Sequence, residues 1–329
     1  MRIALLDDYQ SVALSVADWK RLPADAEVVA FADHARDEEH LIARLSEFDA
    51  VCRVRERTEF PRRVLERLPR LKLLLATGLR NARSIDLAAA RDLGITVCST
   101  RSHSFPTVEL TWGMILSLFR KIHSENASVR AGGWQLTLGA AVRGKVLGIL
   151  GLGTMGIPVA RIGQAFVMQV IAWSPNLTAE RAAEVGVECV GKGELFSRSD
   201  VVTIHMPESE RSIGIVGSDE IAQMRPTAYL VNTSRAPLVD QAALIGALRD
   251  GRIAGAAIDV YDEEPLPLHH PYRHLPNVLA TPHIGYVIRE NYEIYFGETV
   301  ENVLAFMAGN PIRVLDETGR IQQEDKELS

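Results

Sequence analysis

The chain has 329 residues, of which 47% are hydrophobic and 24% are charged. Its 36 Lys and Arg residues against 42 Asp and Glu residues give a net charge of 36 − 42 = −6. At roughly 100 to 200 residues per domain, this length predicts about two globular domains. The composition excludes a chain that is mainly disordered, collagen-like or coiled-coil. The acidic balance argues against nucleic acid as a partner, because a phosphate backbone attracts basic proteins.

The cysteines and the apolar runs bear on compartment. Cys52, Cys98 and Cys189 are far apart and odd in number, so they fit neither a disulfide framework nor a metal site. Asp7 and Asp8 follow the first apolar residues too soon for a signal peptide. The longest apolar runs fall well short of the ~18 residues of a membrane span. We therefore expect a soluble cytoplasmic protein without a metal or a membrane contact.

Short apolar runs alternate with helical segments in the first third of the chain. This alternation predicts a parallel sheet whose two faces are covered by helices. The expected strands are 3–6, 27–31, 50–54, 71–76 and 95–98, and two of the expected helices are 37–46 and 84–93.

A polar stretch at 99–104 predicts a domain crossing, and Pro106 is well placed to begin a long helix that ends near Arg130. A second alternating series follows and predicts a doubly wound nucleotide-binding sheet. Its expected strands are 146–150, 170–173, 201–205, 228–232, 253–258 and 278–280.

The last helical segment, 289–308, has no strands with which to form a domain of its own, so we expect it to pack on the first domain. The charged tail after Val314 is expected to be frayed. The prediction is an α/β protein with two Rossmann-like, doubly wound parallel-sheet domains. The first is discontinuous, 1–102 and 286–329, and the dinucleotide-binding domain is 103–285.

A G-x-G-x-x-G motif follows the first strand of the second series and opens a helix, which is the context that dinucleotide binding requires. Gly151 permits the tight turn, Gly153 lets the backbone approach a pyrophosphate, and Gly156 lets helix and strand pack closely. Thr154 and Met155 supply the first amides of the helix N-terminus, which favours an anion. The motif therefore predicts a dinucleotide cofactor.

The position that reads the adenosine ribose lies about 20 residues further on and is normally acidic. Ser174 occupies it in this chain. Serine does not repel a 2′-phosphate, but no arginine that would attract one is adjacent, and Arg181 is the nearest cation in the sequence. The residues leave NAD and NADP both open as the cofactor.

Three more chemically useful side chains lie near the ends of later strands, where open α/β sheets bind their ligands. They are Arg235, Glu264 and His283. Hydride delivery to a carbonyl carbon leaves an alkoxide, which needs a proton donor and a cation. These residues beside a dinucleotide therefore indicate reduction of an anionic carbonyl compound. The cofactor-binding residues that we predict at the same strand ends are Thr233, Ser234 and Gly285.

With these motifs in order, the chain resembles the D-isomer-specific 2-hydroxyacid dehydrogenase family from about Val51 to Ala308. The resemblance implies a flavodoxin-like substrate domain built from both chain ends, an active site in the intervening cleft, and a homodimer formed through the cofactor domain. It also implies that Arg235 clamps the substrate carboxylate, that His283 donates the proton and that Glu264 partners His283.

Further positions follow from the same resemblance. On the cofactor side, His205, Met206 and Pro207 would approach the adenine, and Asp259 would meet the nicotinamide amide or orient Arg235. The substrate-binding residues that the resemblance implies in the first domain are Arg55, Gly78, Leu79 and Arg80. For the two arginines of that set, a solvated surface role is equally open.

The expected function is NAD(P)-dependent interconversion of small 2-oxo acids and D-2-hydroxy acids. Departures from the family pattern at Ser174, in the loop 77–85 and at 284–287 leave the substrate and the cofactor preference undetermined. Two alternatives stay open: a nucleotide-sensing transcriptional corepressor on the same fold, and a phosphoglycerate dehydrogenase.

Overall fold

The computed structural model describes residues 1–78 and 84–322. The chain divides into two compact units: a first unit of Met1–His103 with Ile288–Ser329, and a second unit of Ser104–Val287. The strands are β1 Arg2–Leu6, β2 Glu27–Ala30, β3 Ala50–Arg53, β4 Leu73–Ala76, β5 Thr96–Ser99, β6 Val146–Leu150, β7 Gln169–Trp173, β8 Glu188–Cys189, β9 Val201–Ile204, β10 Tyr229–Asn232, β11 Gly255–Ile258 and β12 Val278–Ala280. The helices are α1 Glu38–Leu45, α2 Arg62–Leu65, α3 Leu87–Asp92, α4 Phe105–Arg120, α5 Ile122–Arg130, α6 Gly156–Ala165, α7 Ala179–Ala183, α8 Lys192–Arg198, α9 Ser218–Gln223, α10 Gln241–Arg249 and α11 Arg289–Met307.

The first unit contains a parallel sheet in the order β2-β1-β3-β4-β5. Its strands are apolar runs because both faces are covered, and β1, β3 and β4 are almost entirely buried. The strand order reverses between β1 and β3, and such a switch point is where open α/β sheets bind ligands at their carboxyl ends. Helix α11 packs against β4, and Asn302 donates to the carbonyl oxygen of Ser99 at 2.9 Å.

The segment after Val314 corrects the expectation of a frayed tail, as far as residue 322. The backbone N–H of Leu315 donates to the carbonyl oxygen of Val97, which joins the segment to the edge of the sheet at β5. The carboxylate of Asp316 accepts from the backbone N–H groups of Thr318 and Arg320 and closes a turn. The prediction from charged composition was wrong because the Asp316 carboxylate stabilises an ordered turn. Residues 323–329 lie outside the described part.

The second unit contains a parallel sheet in the order β12-β11-β10-β9-β6-β7-β8. The order reverses between β6 and β9, as in a dinucleotide-binding fold, so the turn after β6 lies at the switch point. All six predicted strands are present. The short β8 was not predicted, because two residues carry no periodicity.

The long helix expected from Pro106 to Arg130 is wrong as a single element. It breaks at Lys121, whose φ of 56° is left-handed, and the chain continues as α5. The Lys121 ammonium donates to the hydroxyl of Tyr229 at 3.1 Å and lies 5.2 Å from the centre of its ring. A tertiary contact therefore accompanies the break at a residue that has good helix propensity.

Across the described ranges, 1–78 and 84–322, no helix is both long enough and apolar enough to cross a membrane. The same residues contain no cluster of three or more His, Cys, Asp or Glu side chains arranged to hold a metal ion.

Candidate active site

The glycine-rich turn after β6 has the backbone that its sequence predicts. Gly151 has φ of 104°, and a Cβ there would lie 2.7 Å from the carbonyl oxygen of His205. A Cβ on Gly156 would overlap the carbonyl oxygen of Gly151. A Cβ on Gly153 would meet no protein atom within 4 Å. The outer glycines are therefore required by packing, whereas the middle one leaves open space for a ligand.

Helix α6 begins directly after this turn. Met155 is its N-cap, and the preceding Thr154 is exposed. The first amides of a helix have no partner within it, and its dipole gives that end a partial positive charge. A helix of ten residues behind an open glycine turn fits the pyrophosphate of a dinucleotide.

Ser174 lies at the end of β7, beside the glycine turn. Its hydroxyl oxygen accepts a hydrogen bond from the backbone N–H of Leu152 at 3.1 Å. Because the oxygen is the acceptor here, the hydroxyl hydrogen can donate to another group. The side chain is half-buried and uncharged, so it offers a donor without the negative charge that would repel a 2′-phosphate.

His205, Met206 and Pro207 follow β9 on the other side of the glycine turn. The backbone N–H of His205 donates to the carbonyl oxygen of Leu150, and Nε2 of its ring lies 3.0 Å from the hydroxyl of Thr203. Burial lowers the pKa of His205 to about 4, so its ring is neutral near pH 7. His205 is therefore a buried, uncharged residue that packs beside the glycine turn.

The strand end after β10 places Thr233, Ser234 and Arg235 together. The Ser234 hydroxyl donates to the carbonyl oxygen of Met206 at 2.6 Å, and its backbone N–H donates to the side-chain oxygen of Asn232 at 3.0 Å. The guanidinium of Arg235 donates to the carbonyl oxygen of Ser234 at 2.6 Å, and the residue is half-buried. This loop holds the arginine close to the sheet edge.

His283 and Glu264 are paired. Nδ1 of His283 lies 2.7 Å from Oε2 of Glu264, and the two side chains are 13% and 28% exposed. The other Glu264 oxygen accepts from the backbone N–H of Tyr261 at 3.0 Å. The edge of the Tyr286 ring packs against the imidazole, with 5.4 Å between the ring centres. The carboxylate thus holds one ring nitrogen, and the ring is left to exchange a proton through Nε2.

Asp259 is fully buried, and its carboxylate is bonded to the loop that carries His283. Its carboxylate accepts from the hydroxyl of Thr281 at 2.6 Å and from the backbone N–H groups of Ile284 and Gly285, both at 2.9 Å. Burial is the main reason that the pKa of Asp259 is raised. His283 has φ of 51°, so these bonds hold the loop where a non-glycine residue takes up a left-handed conformation.

Sequence reasoning missed two threonines of helix α4. The Thr107 hydroxyl donates to the carbonyl oxygen of Gly285 at 2.9 Å, and the Thr111 and Thr233 hydroxyls lie 2.8 Å apart. Helix α4 therefore braces the loops that carry His283 and Arg235. Two threonines four residues apart on a predicted helix were the available signal, but helical spacing alone does not say which loops they face.

In the first unit, the predicted substrate residues Arg55 and Gly78 both follow strands of the sheet. Arg55 has φ of 55°, and its backbone N–H donates to the Thr77 hydroxyl at 2.8 Å. The N–H of Gly78 donates to the Thr100 hydroxyl at 2.8 Å. The other two predicted residues, Leu79 and Arg80, lie outside the described residues.

A profile of the D-isomer specific 2-hydroxyacid dehydrogenase family, NAD binding domain, matches residues 112–285. A glyoxylate reductase from Aeropyrum pernix is 38% identical over 258 residues, which are 75% of this chain and 76% of that protein. A D-3-phosphoglycerate dehydrogenase from Archaeoglobus fulgidus is 33% identical over 294 residues, 88% of this chain and 55% of that protein. A phosphoglycerate oxidoreductase structure from Vibrio cholerae superimposes with a TM-score of 0.89 at 37% identity, covering 94% of this chain and 99% of that one.

Both the residues and the matched profile describe a nucleotide-binding unit. The glycine turn, helix α6 and Ser174 all fall within the matched residues 112–285. The cofactor is NAD or NADP. The chain spans about half the length of the matched phosphoglycerate dehydrogenase and about three quarters of the matched glyoxylate reductase.

Proposed function

Because the chain belongs to the D-isomer-specific 2-hydroxyacid dehydrogenase family, we propose that it interconverts small 2-oxo acids and D-2-hydroxy acids with NAD or NADP. The observation that carries this proposal is the His283–Glu264 pair, with 2.7 Å between Nδ1 and Oε2, at the carboxyl edge of a sheet that also presents a dinucleotide turn. An imidazole held at one nitrogen by a carboxylate is suited to general acid and base catalysis.

In the direction of reduction, Nε2 of His283 donates a proton to the oxygen that becomes the hydroxyl. Glu264 fixes the ring and stabilises its protonated form through the bond at Nδ1. In the direction of oxidation, the neutral ring accepts the same proton. Arg235 carries a permanent charge and a planar fork of donors, so it binds the substrate carboxylate and polarises the ketone oxygen.

The cofactor-binding residues come from three loops of one sheet. The glycine turn and the first amides of α6 would hold the pyrophosphate, Ser174 would bond the ribose, and the loop 205–207 would pack beside the adenine. When bound, the reduced nicotinamide supplies the hydride. Thr233, Ser234, Gly285 and the buried Asp259 shape the loops around its ring.

In the first unit, we propose that the loops after β3 and β4 bind the substrate, through Arg55 and the backbone at Gly78 together with Leu79 and Arg80. This assigns the substrate-binding role to the first unit and the cofactor-binding role to the second. The left-handed backbone at Arg55 supports the assignment, because strained backbone tends to occur at functional sites.

A panel of 2-oxo acids tests the function. Glyoxylate, hydroxypyruvate and phenylpyruvate are each assayed with NADH and with NADPH, and 3-phosphoglycerate oxidation is assayed in parallel. We expect reduction of at least one small 2-oxo acid and release of the D-hydroxy acid, measured by chiral chromatography. Cofactor binding without turnover of any of these compounds would instead favour a corepressor. Turnover of 3-phosphoglycerate alone would favour a phosphoglycerate dehydrogenase.

We also propose that two copies associate through the cofactor-binding unit, in the cytoplasm. The segment after α5 exposes Trp134, Leu136 and Leu138 by 79%, 70% and 96%. The Glu125 carboxylate holds this segment in place by accepting from the backbone N–H groups of Leu136 and Thr137. Ordered, outward-facing apolar side chains are typical of an interface. Light scattering should give the mass of a dimer for the wild type and of a monomer for Leu138→Asp.

A further inference from the structure

The carboxyl edge of the first unit's sheet contains a buried carboxylate that the proposed mechanism does not use. Asp7 follows β1, is 1% exposed and has φ of 59°. The sheet order changes direction between β1 and β3, so Asp7 lies at the switch point, next to the segment 54–58 that follows β3. A buried carboxylate at such a position needs an explanation, because burying a charge is costly unless its oxygens are satisfied.

Asp7 has polar partners on two other segments of the chain. Its Oδ1 lies 2.8 Å from Nδ1 of His34, after β2, and its Oδ2 accepts from the Thr58 hydroxyl at 2.6 Å. Its carbonyl oxygen accepts from the Arg57 guanidinium at 2.7 Å. The hydrogen bond to Asp7 is the main reason that the pKa of His34 is raised. The protonated, charged form of His34 is therefore favoured beside the carboxylate. Two of these partners lie on the segment 54–58.

The segment 54–58 carries Arg55 and is fixed at both ends. At its start, the backbone N–H of Arg55 donates to the Thr77 hydroxyl at 2.8 Å. At its end, the carbonyl oxygen of Thr58 accepts from the buried Arg53 guanidinium at 2.9 Å, and the Thr58 hydroxyl donates to Asp7. Arg57 also lies over the ring of Tyr9, 4.6 Å from its centre. Asp7 is thus bonded to Arg57 and Thr58, the two residues that follow Glu56.

We propose that Asp7 is a positioning residue for Arg55: by bonding Thr58 and Arg57 it holds the segment 54–58 so that Arg55 keeps its left-handed backbone and meets the substrate carboxylate. The proposal rests on the substrate-binding role proposed above for Arg55. The reason is geometric, since a φ of 55° at a non-glycine residue persists only where the surroundings determine it.

A matched pair of variants at Thr58 tests directly whether its hydrogen bond to Asp7 holds the segment 54–58 in place. Thr58→Val keeps the shape of the side chain but removes the hydroxyl that donates to Asp7, whereas Thr58→Ser keeps the hydroxyl. Amide hydrogen exchange is measured by mass spectrometry on the segment 54–58 and on the segment 149–157 of the second unit. We expect at least tenfold faster exchange at 54–58 in Thr58→Val, wild-type exchange there in Thr58→Ser, and no change at 149–157. Unchanged exchange at 54–58 in Thr58→Val overturns the proposal.

Kinetics then separate positioning from general stability. We expect Thr58→Val to raise the substrate KM about tenfold, with less than a twofold change in kcat and in the Kd of NADH, and Thr58→Ser to restore the wild-type KM. Faster exchange with an unchanged KM would overturn the link to Arg55. If the wild type reduces no 2-oxo acid, the proposed function fails, and the exchange experiment still decides whether Asp7 holds the segment. Asp7→Ala, which removes both acceptor oxygens, should reproduce Thr58→Val, and if it does not fold, the Thr58 pair decides alone.

Discussion

The carboxyl edges of the two parallel sheets present polar groups in different ways. In the second unit, the edge is shaped by backbone: a glycine turn with open space at Gly153 and half-buried side chains at Arg235 and His283. In the first unit, the edge carries the buried charges of Asp7 and Arg53, which are both bonded to Thr58. Arg53 is fully buried there, and its burial lowers its pKa to about 10.

The difference teaches how each edge handles a ligand. Backbone amides and a helix end form a ready anion site that needs no side-chain support, so the second edge can stay open. Side-chain cations near a sheet edge need partners to hold them. In the first unit, Thr58 and Asp7 are such partners, because they accept hydrogen bonds from Arg53 and Arg57. The first edge should therefore be sensitive to changes that do not touch the ligand. At the second edge, the glycine turn should be sensitive mainly at the positions that contact the ligand.

The largest effect is expected at His283, the proposed proton donor of the second edge. His283→Ala should slow reductive turnover roughly 100-fold or more, as is usual for loss of a general acid, and leave the Kd of the cofactor nearly unchanged. The measurement is steady-state kinetics together with fluorescence titration of NADH. The exposed His269 offers a control, since His269→Ala should turn over at the wild-type rate. Near-normal turnover in His283→Ala would remove this residue from the mechanism.

The glycine turn gives a matched pair. Gly153→Ala should bring the new methyl group into the ligand space, weakening cofactor binding at least tenfold, or ~1.4 kcal/mol, with little change in Tm. Gly156→Ala should instead lower Tm, because its Cβ overlaps the carbonyl oxygen of Gly151 and overpacking costs about 1–3 kcal/mol. Calorimetry and cofactor titration on both variants check this. Equal losses of Tm in the two variants would show that Gly153 also serves packing.

A moderate effect is expected at Ser174. Without a carboxylate at this position, the kcat/KM values for NADPH and NADH should differ by less than about tenfold, or ~1.4 kcal/mol. Ser174→Asp should shift the ratio toward NADH, since a carboxylate repels a 2′-phosphate. The measurement is kcat/KM for both cofactors on both proteins. A wild type that strongly rejects NADPH, or a ratio unaltered by the substitution, would mean that another residue reads the ribose.

The smallest effect is expected in the first unit at His34. Its pKa is raised in the folded protein, chiefly by the bond to Asp7, while Arg44 and Arg57 oppose the shift. The stabilisation from this pair is therefore complete below the ordinary pKa of about 6.5 and is lost as the pH rises through the folded-state value. The Tm of His34→Gln should fall below that of wild type by a few degrees at pH 6, and the gap should shrink by pH 9. A gap that is constant with pH would contradict the charged pair, and His269→Gln serves as the exposed control.

Much of the fold and part of the site could be predicted from local sequence. The strand runs and the glycine turn are local features: a covered parallel strand must be apolar, and the turn requires glycine where a Cβ would overlap backbone. The three candidate catalytic side chains, Arg235, Glu264 and His283, are recognisable because they follow strands of one sheet. Their roles stay a prediction until His283 and Arg235 are tested. The break at Lys121 and the ordered turn at Asp316 escaped prediction, because composition and propensity there describe the residue without its tertiary partners.

What only the tertiary structure decided is which distant groups meet. Asp259 accepts from Thr281, Ile284 and Gly285 because β11 lies beside β12, and the sequence alone offered the nicotinamide or Arg235 as its partner. Asp7 meets His34 and Thr58 across 27 and 51 residues because β1 lies between β2 and β3. Hydrogen bonds form only within a narrow range of short distances, and the strand order decides which distant residues come that close. The sequence by itself determined the elements and the chemistry of the strand ends, while their packing decided the partners of each buried charge.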